Sequence, residues 1–158
     1  MTNVQEAVNA MASRQLSITR LINAPRKLLW EVWTNPEHIK NWWGPDGFRT
    51  TIHQMDVTAN GVWDFIMHGP DGTDYPNKDV FVEIIKPEKI VYDHVNYPLH
   101  RTTITFEDKG NKTLLTMTMV FESEALKEQI IKTHKADVGL KQNITRLEEY
   151  LKKFPSIT

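Results

Sequence analysis

Apolar positions recur along this chain with two periods, and the switches between them lay out a succession of elements. Residues 16–22 (LSITRLI) are β-branched and aliphatic, which predicts a strand. Asn23-Ala24-Pro25 follows, and Pro25 suits a helix start. Leu28, Leu29, Val32 and Trp33 then fall at helical spacing over 27–33. Asn35-Pro36 restarts the chain, and 36–42 reads as a second short helix. Gly44-Pro45-Asp46-Gly47 is a turn, and 48–57 a strand. Asn60-Gly61 is the strongest hairpin signal present. Residues 62–68 alternate, with Trp63, Phe65 and Met67 on one side. After the turn Gly69-Pro70-Asp71-Gly72, four more strands are predicted at 79–85, 89–95, 101–107 and 113–121. From 122 to about 153 the chain is rich in Glu, Lys, Leu and Gln and free of Pro, which predicts helix.

One strand, a helical pair, six strands in hairpin succession and a long helix define an α+β class: an antiparallel sheet with helices on one face. The last helix is the element long enough to cover that face. No linker divides the chain, so 15–154 reads as one domain behind a polar lead-in, 1–14, expected to be a frayed end or a short helix. Along the last helix Leu140, Ile144, Leu147, Leu151 and Phe154 form an apolar stripe. Continued backwards, the same steps give Asp137, Thr133, Ile130 and Leu126, so the stripe turns polar in its middle. Either a kink near Gly139 rotates Asp137 into solvent, or a cavity lies there.

Composition narrows the chemistry. There is no cysteine among the 158 residues, which excludes disulfides, thiolate metal sites and Cys nucleophiles. A formal net charge of -1 leaves no electrostatic footprint for nucleic acid or anionic lipid. No apolar run reaches the ~18–20 residues of a membrane span, and the N-terminus lacks the features of a secretory signal, so a cytoplasmic location is expected. The surplus is in Trp, Phe and Met, at 5, 6 and 6 residues.

Those residues carry the site reading. Trp63, Phe65 and Met67 share a strand face, as do Leu115, Met117, Met119 and Phe121. Each stripe reads as core or as the wall of an apolar pocket. Trp42 and Trp43 are adjacent, so one packs inward while Trp43 is a candidate to close the pocket mouth. Tyr92 and His94 share a face, and Glu83 is expected to share one with Phe81 and Ile85. If both faces point inward, a carboxylate, a phenol and an imidazole converge on a ligand. Alternation alone does not choose between Ile90/Tyr92/His94 and Val91/Asp93/Val95 as the inward set. On the last helix His134, Asp137 and Val138 would border the pocket. Two ligating residues three apart do not make a metal site, and none is expected. No phosphate-binding loop, GxSxG elbow or HExxH motif is present, so catalytic residues are left unassigned.

The run 20–45, RLINAPRKLLWEVWTNPEHIKNWWGP, closely resembles the opening of AHSA1-like proteins (activator of Hsp90 ATPase homologue 1-like) of the START/Bet v 1-like SRPBCC superfamily. NGVW at 60–63, GPDG at 69–72, EIIKPEKIV at 83–91, and Gly139-Leu140 with RLEEYL at 146–151 are similar in the same order. Thr58-Ala59-Asn60-Gly61 departs from the family's usual Gly-Gly pair. The resemblance implies a helix-grip fold: a seven-stranded curved antiparallel sheet wrapped around a long C-terminal helix, with two short helices after strand 1. It also implies a small or medium apolar ligand held between helix and sheet, without a cofactor. The alternatives are a cofactor-independent cyclase, isomerase or hydrolase using the same cavity, or an Hsp90-type interaction module. A homodimer is compatible with such a domain, but nothing in the chain specifies one.

Overall fold

A computed structural model describes residues 12–154, so most of the expected lead-in lies outside the described residues. Seven strands are laid down in chain order: β1 (Gln15–Ile22), β2 (Arg49–Met55), β3 (Val62–His68), β4 (Asp74–Ile85), β5 (Lys89–His94), β6 (His100–Asp108) and β7 (Thr113–Phe121). Helices α1 (Arg26–Thr34) and α2 (Pro36–Ile39) follow β1, and α3 (Glu124–His134) and α4 (Ala136–Leu151) follow β7. The strands form one antiparallel sheet in the order β1-β7-β6-β5-β4-β3-β2. Among the described residues, only the β1–β7 pairing joins strands distant in sequence. The other neighbours are successive hairpins, as the turn residues predict.

The inner face of the sheet meets Leu140, Ile144, Leu147 and Leu151 of α4 in one apolar core. Trp33 and Trp42 meet edge to face at 4.9 Å, and Trp43 reaches Trp63 at 5.0 Å. The helical pair therefore closes the end of the core with aromatic rings, each a large contribution to burial.

Three boundaries differ from the sequence expectation for physical reasons. β4 starts at Asp74, earlier than 79, because it pairs with β3 from His68↔Asp74 onward. Pro76 has no N–H, yet it is tolerated where β5 has ended. There the Asn96 side chain takes over the ladder: its Nδ2 donates to the Pro76 carbonyl at 2.8 Å, and its Oδ1 accepts from the Lys78 N–H at 3.1 Å. α2 stops at Ile39, leaving Trp42 and Trp43 in the turn beyond it.

The third difference concerns the long helix, which is two helices. Lys135 adopts a left-handed conformation (φ 51°, ψ 47°) between α3 and α4. The break thus falls four residues before the expected kink at Gly139, and α4 runs through that glycine unbroken. Asp137 sits in the first turn of α4, where the helix dipole favours a carboxylate. The break at Lys135 falls within the polar interruption of the stripe.

Candidate functional site

The turn that opens the site is held from the helix below it. Arg146 of α4 donates from Nη1 to the carbonyls of Gly44 at 2.8 Å and Pro45 at 2.9 Å, with a longer contact to that of Trp43 at 3.3 Å. The Gly44 N–H donates to Asn143 Oδ1, and the Asp46 N–H donates to Gln142 Oε1 at 3.2 Å. Gly44 has φ +107°, and a Cβ there would press on Met67 Cε and Phe48 Cβ. Pro45 in turn lies over Gly139, where a Cβ would stand 3.2 Å from its Cγ. The four positions 43–46 thus form a lid fastened to α4, and they fix Trp43 against Trp63.

The inner face behind this lid is built in cross-strand rows. Register pairs Trp63 with Asp79, Asp79 with His94, His94 with His100, and His100 with Phe121. The next row pairs Phe81 with Tyr92, Tyr92 with Thr102, and Thr102 with Met119. Asp79, His94 and Thr102 are buried among these aromatic rings. His94 Nδ1 and Asp79 Oδ1 share a hydrogen bond of 2.6 Å, and the His94 and His100 rings stack at 4.8 Å. Burial pushes the Asp79 carboxyl up from its ordinary range, and the His94 hydrogen bond opposes that shift. Burial, followed by the Asp79 charge, pushes the Tyr92 phenol well above its ordinary value. Burial and the neighbouring His94 pull His100 down to about 4. Tyr92 and His100 are therefore neutral at pH 7. Trp63 Nε1 and Thr102 Oγ1 are buried with no hydrogen-bond partner among the described residues.

Of the residues singled out in the sequence, the structure brings Trp63, Phe65, Phe81, Tyr92, His94 and Met117 together as buried inner-face residues, with Trp43 packed onto Trp63 and Phe65 from the turn after α2. Met67 is partly buried against the same core, and Met119 continues the Tyr92–Thr102 row at a half-buried position. Glu83 does not join them. The β4–β5 register shifts between Phe81 and Glu83, which turns Glu83 away from the Phe81 face, and it pairs with Lys89 at 3.1 Å. His134 and Val138 are exposed on either side of the helix break, with His134 edge-on to Tyr75 at 6.5 Å. Asp137 is half-buried in the first turn of α4.

Sequence reasoning missed Asp79, although stepping two residues back from Phe81 reaches it. The strand expected at 101–107 also begins one residue earlier, with His100 opening β6. Asn143 and Arg146 lie on the covering helix, and no local pattern marks them as loop anchors. Among the described residues no group of three or more His, Asp or Glu is placed to hold a metal, and no helix is long and apolar enough to cross a membrane.

A seven-stranded antiparallel sheet gripping a C-terminal helix, with a helical pair after the first strand, is the helix-grip architecture of the Bet v 1-like (SRPBCC) class. The chain belongs to the family described as activator of Hsp90 ATPase homolog 1-like protein, whose sequence profile matches residues 23–152. Solved structures agree on the fold. A solution structure of a protein from Arthrobacter aurescens is 24% identical, with a TM-score of 0.83 over 92% of this chain and 90% of that one. A crystal structure of a protein from Nitrosomonas europaea is 21% identical, with a TM-score of 0.80 over 90% and 96%. The AHSA1-like protein from Aeromonas hydrophila is 17% identical, with a TM-score of 0.72 over 88% and 92%. No curated protein sequence matches the chain. Family and fold support a ligand-binding or Hsp90-ATPase-activator-like module in general.

Proposed function

We propose that the protein binds a small apolar molecule carrying one hydrogen-bonding group, seated between the inner face of the sheet and α4. The observation that carries this reading is the pair of unpartnered polar atoms, Trp63 Nε1 and Thr102 Oγ1, buried on an aromatic inner face that also holds Asp79, His94 and Tyr92. A buried polar group without a partner costs about 1–3 kcal/mol. A ligand carbonyl, ether or hydroxyl accepts from the Trp63 N–H or the Thr102 hydroxyl and recovers that cost. Phe65, Phe81, Met117 and Met119 offer the apolar contact, and the methionines adapt to more than one ligand shape. The lid at 43–46 would move for entry, its fastenings being hydrogen bonds to Asn143, Gln142 and Arg146.

Native mass spectrometry of gently purified protein tests this. The expected result is an added mass, below the size of a peptide, that is lost on denaturation. Bare protein that also takes up no apolar probe overturns the proposal.

A further inference from the structure

The covering helix carries one polar residue among its buried positions. Those positions are Leu140, Asn143, Ile144, Leu147 and Leu151, and Asn143 is 7% exposed. The Gly44 N–H only donates, so the side-chain oxygen of Asn143 faces it. That bond fixes the amide. Its Nδ2 points away from the Gly44 N–H and is buried with no hydrogen-bond partner among the described residues. The lid needs only an acceptor at this position, and the amide brings a donor besides.

Two further donors surround the same part of the lid. Trp33 Nε1 and Trp63 Nε1 are also buried without a partner. Both rings meet that of Trp43, at 6.1 Å and 5.0 Å between centroids. Trp42, by contrast, places its Nε1 on the Val32 carbonyl at 3.1 Å. Asn143 bonds to Gly44, the residue after Trp43. Thus α1, β3 and α4 each bring an orphan N–H to the surroundings of Trp43, and none of these groups can accept. Each loses its hydration on burial with nothing in its place. Thr102 Oγ1, the remaining unpartnered atom, donates as well as accepts. What the set lacks is an acceptor. A neutral carbonyl oxygen has two lone pairs for such donors, and it brings no net charge into an aromatic wall.

We propose that the ligand is a neutral carbonyl compound whose oxygen accepts from Asn143 Nδ2, an inference that rests on the sheet–helix ligand reading above. The same amide then joins ligand and lid. An acceptor on Nδ2 polarises the amide and strengthens the bond from the Gly44 N–H to Oδ1. Binding a carbonyl compound therefore fastens the lid, whereas a hydrocarbon of the same shape leaves that latch as it is. Asn143 is the residue that selects between the two.

The test titrates the full chain with two probes. One is the ketone 6-propionyl-2-dimethylaminonaphthalene, whose emission moves to longer wavelength when its carbonyl accepts a hydrogen bond. The other is its 6-propyl analogue, which lacks the oxygen. Both are expected to bind saturably. In Asn143→Leu the ketone is expected to bind roughly tenfold or more weakly, as for one lost hydrogen bond to a buried donor, and to lose the long-wavelength emission. Binding of the analogue stays within a few-fold. A purely structural role for Asn143 would weaken both probes alike. The wild-type chain gives a second readout that needs no variant: in 15N-labelled protein the Asn143 side-chain amide proton moves downfield with the ketone and not with the analogue. Equal effects of Asn143→Leu on the two probes, or an amide signal that the ketone leaves unmoved, overturns the proposal while leaving the sheet–helix site standing. Failure of both probes to bind overturns the two together.

Discussion

At the scale of single residues, alternation along β5 left two inward sets open, and the sheet register chose Tyr92 and His94. The Glu83 expectation failed because one register shift in β4 moves a side chain to the other face, and no residue pattern announces that shift. Asp79 takes the place Glu83 was expected to hold. The buried histidines give a prediction about pH. His100 falls to about 4 in the folded protein, with its ring facing His94, Phe121, the Pro98 carbonyl and the charge of Asp93. The unfolded chain binds the proton near the ordinary value of about 6.5, so the native state loses stability as pH falls through that value and down to about 4. Asp79 acts in the opposite sense, since its raised carboxyl gains a proton more readily when folded. The His100 contribution is isolated by comparing urea unfolding of wild type and His100→Phe from pH 7 to pH 4. The variant is expected to lose less stability over that interval; parallel curves would contradict the assignment.

At the scale of elements, the hairpins were legible because Gly, Pro and Asn mark their turns. The departure from a Gly-Gly pair at 58–61 is absorbed by Asn60 at φ 68°, while Gly61 stays because a Cβ there would collide with the Asp56 carbonyl. The α3–α4 break was hidden, since neither Gly nor Pro occupies Lys135. A left-handed conformation costs an L-residue roughly 1–2 kcal/mol, partly offset in a Gly variant by the backbone entropy it loses on folding. Lys135→Gly is therefore expected to stabilise by up to about 1 kcal/mol in chemical denaturation, and destabilisation would contradict the observed break. The lid rests on α4 through Arg146. Hydrogen bonds to a charged group contribute about 1.5–3 kcal/mol, so Arg146→Ala should cost about 2–3 kcal/mol. Arg146→Lys should recover only part of it, because an ammonium lacks the planar fork. Thermal or urea unfolding of the two variants checks the order.

At the scale of the whole molecule, the surplus of tryptophan sorts by position. Trp33, Trp42, Trp43 and Trp63 form a chain of ring contacts from the helical pair, through the lid, to the inner face of the sheet. The α+β class, the hairpin succession of the strands and a helical cover after them were readable from periodicity and turn residues; the β1–β7 pairing was not. The polar atoms of the inner face were not, because they depend on cross-strand register and on a helix distant in sequence. The ligand reading therefore rests on Trp63 Nε1 and Thr102 Oγ1 more than on the apolar stripes. Replacing the unpartnered hydroxyl in Thr102→Val should leave the ligand-free protein as stable or about 1 kcal/mol more stable, and weaken ligand uptake several-fold. The most direct test is a fluorescence titration with 1-anilinonaphthalene-8-sulfonate, comparing wild type with Met117→Trp, whose larger ring fills the inner face. A saturable 1:1 complex, weakened at least tenfold in the variant, is the predicted result. No saturable binding, or equal binding by a folded Met117→Trp, would contradict a ligand site between the sheet and the helix.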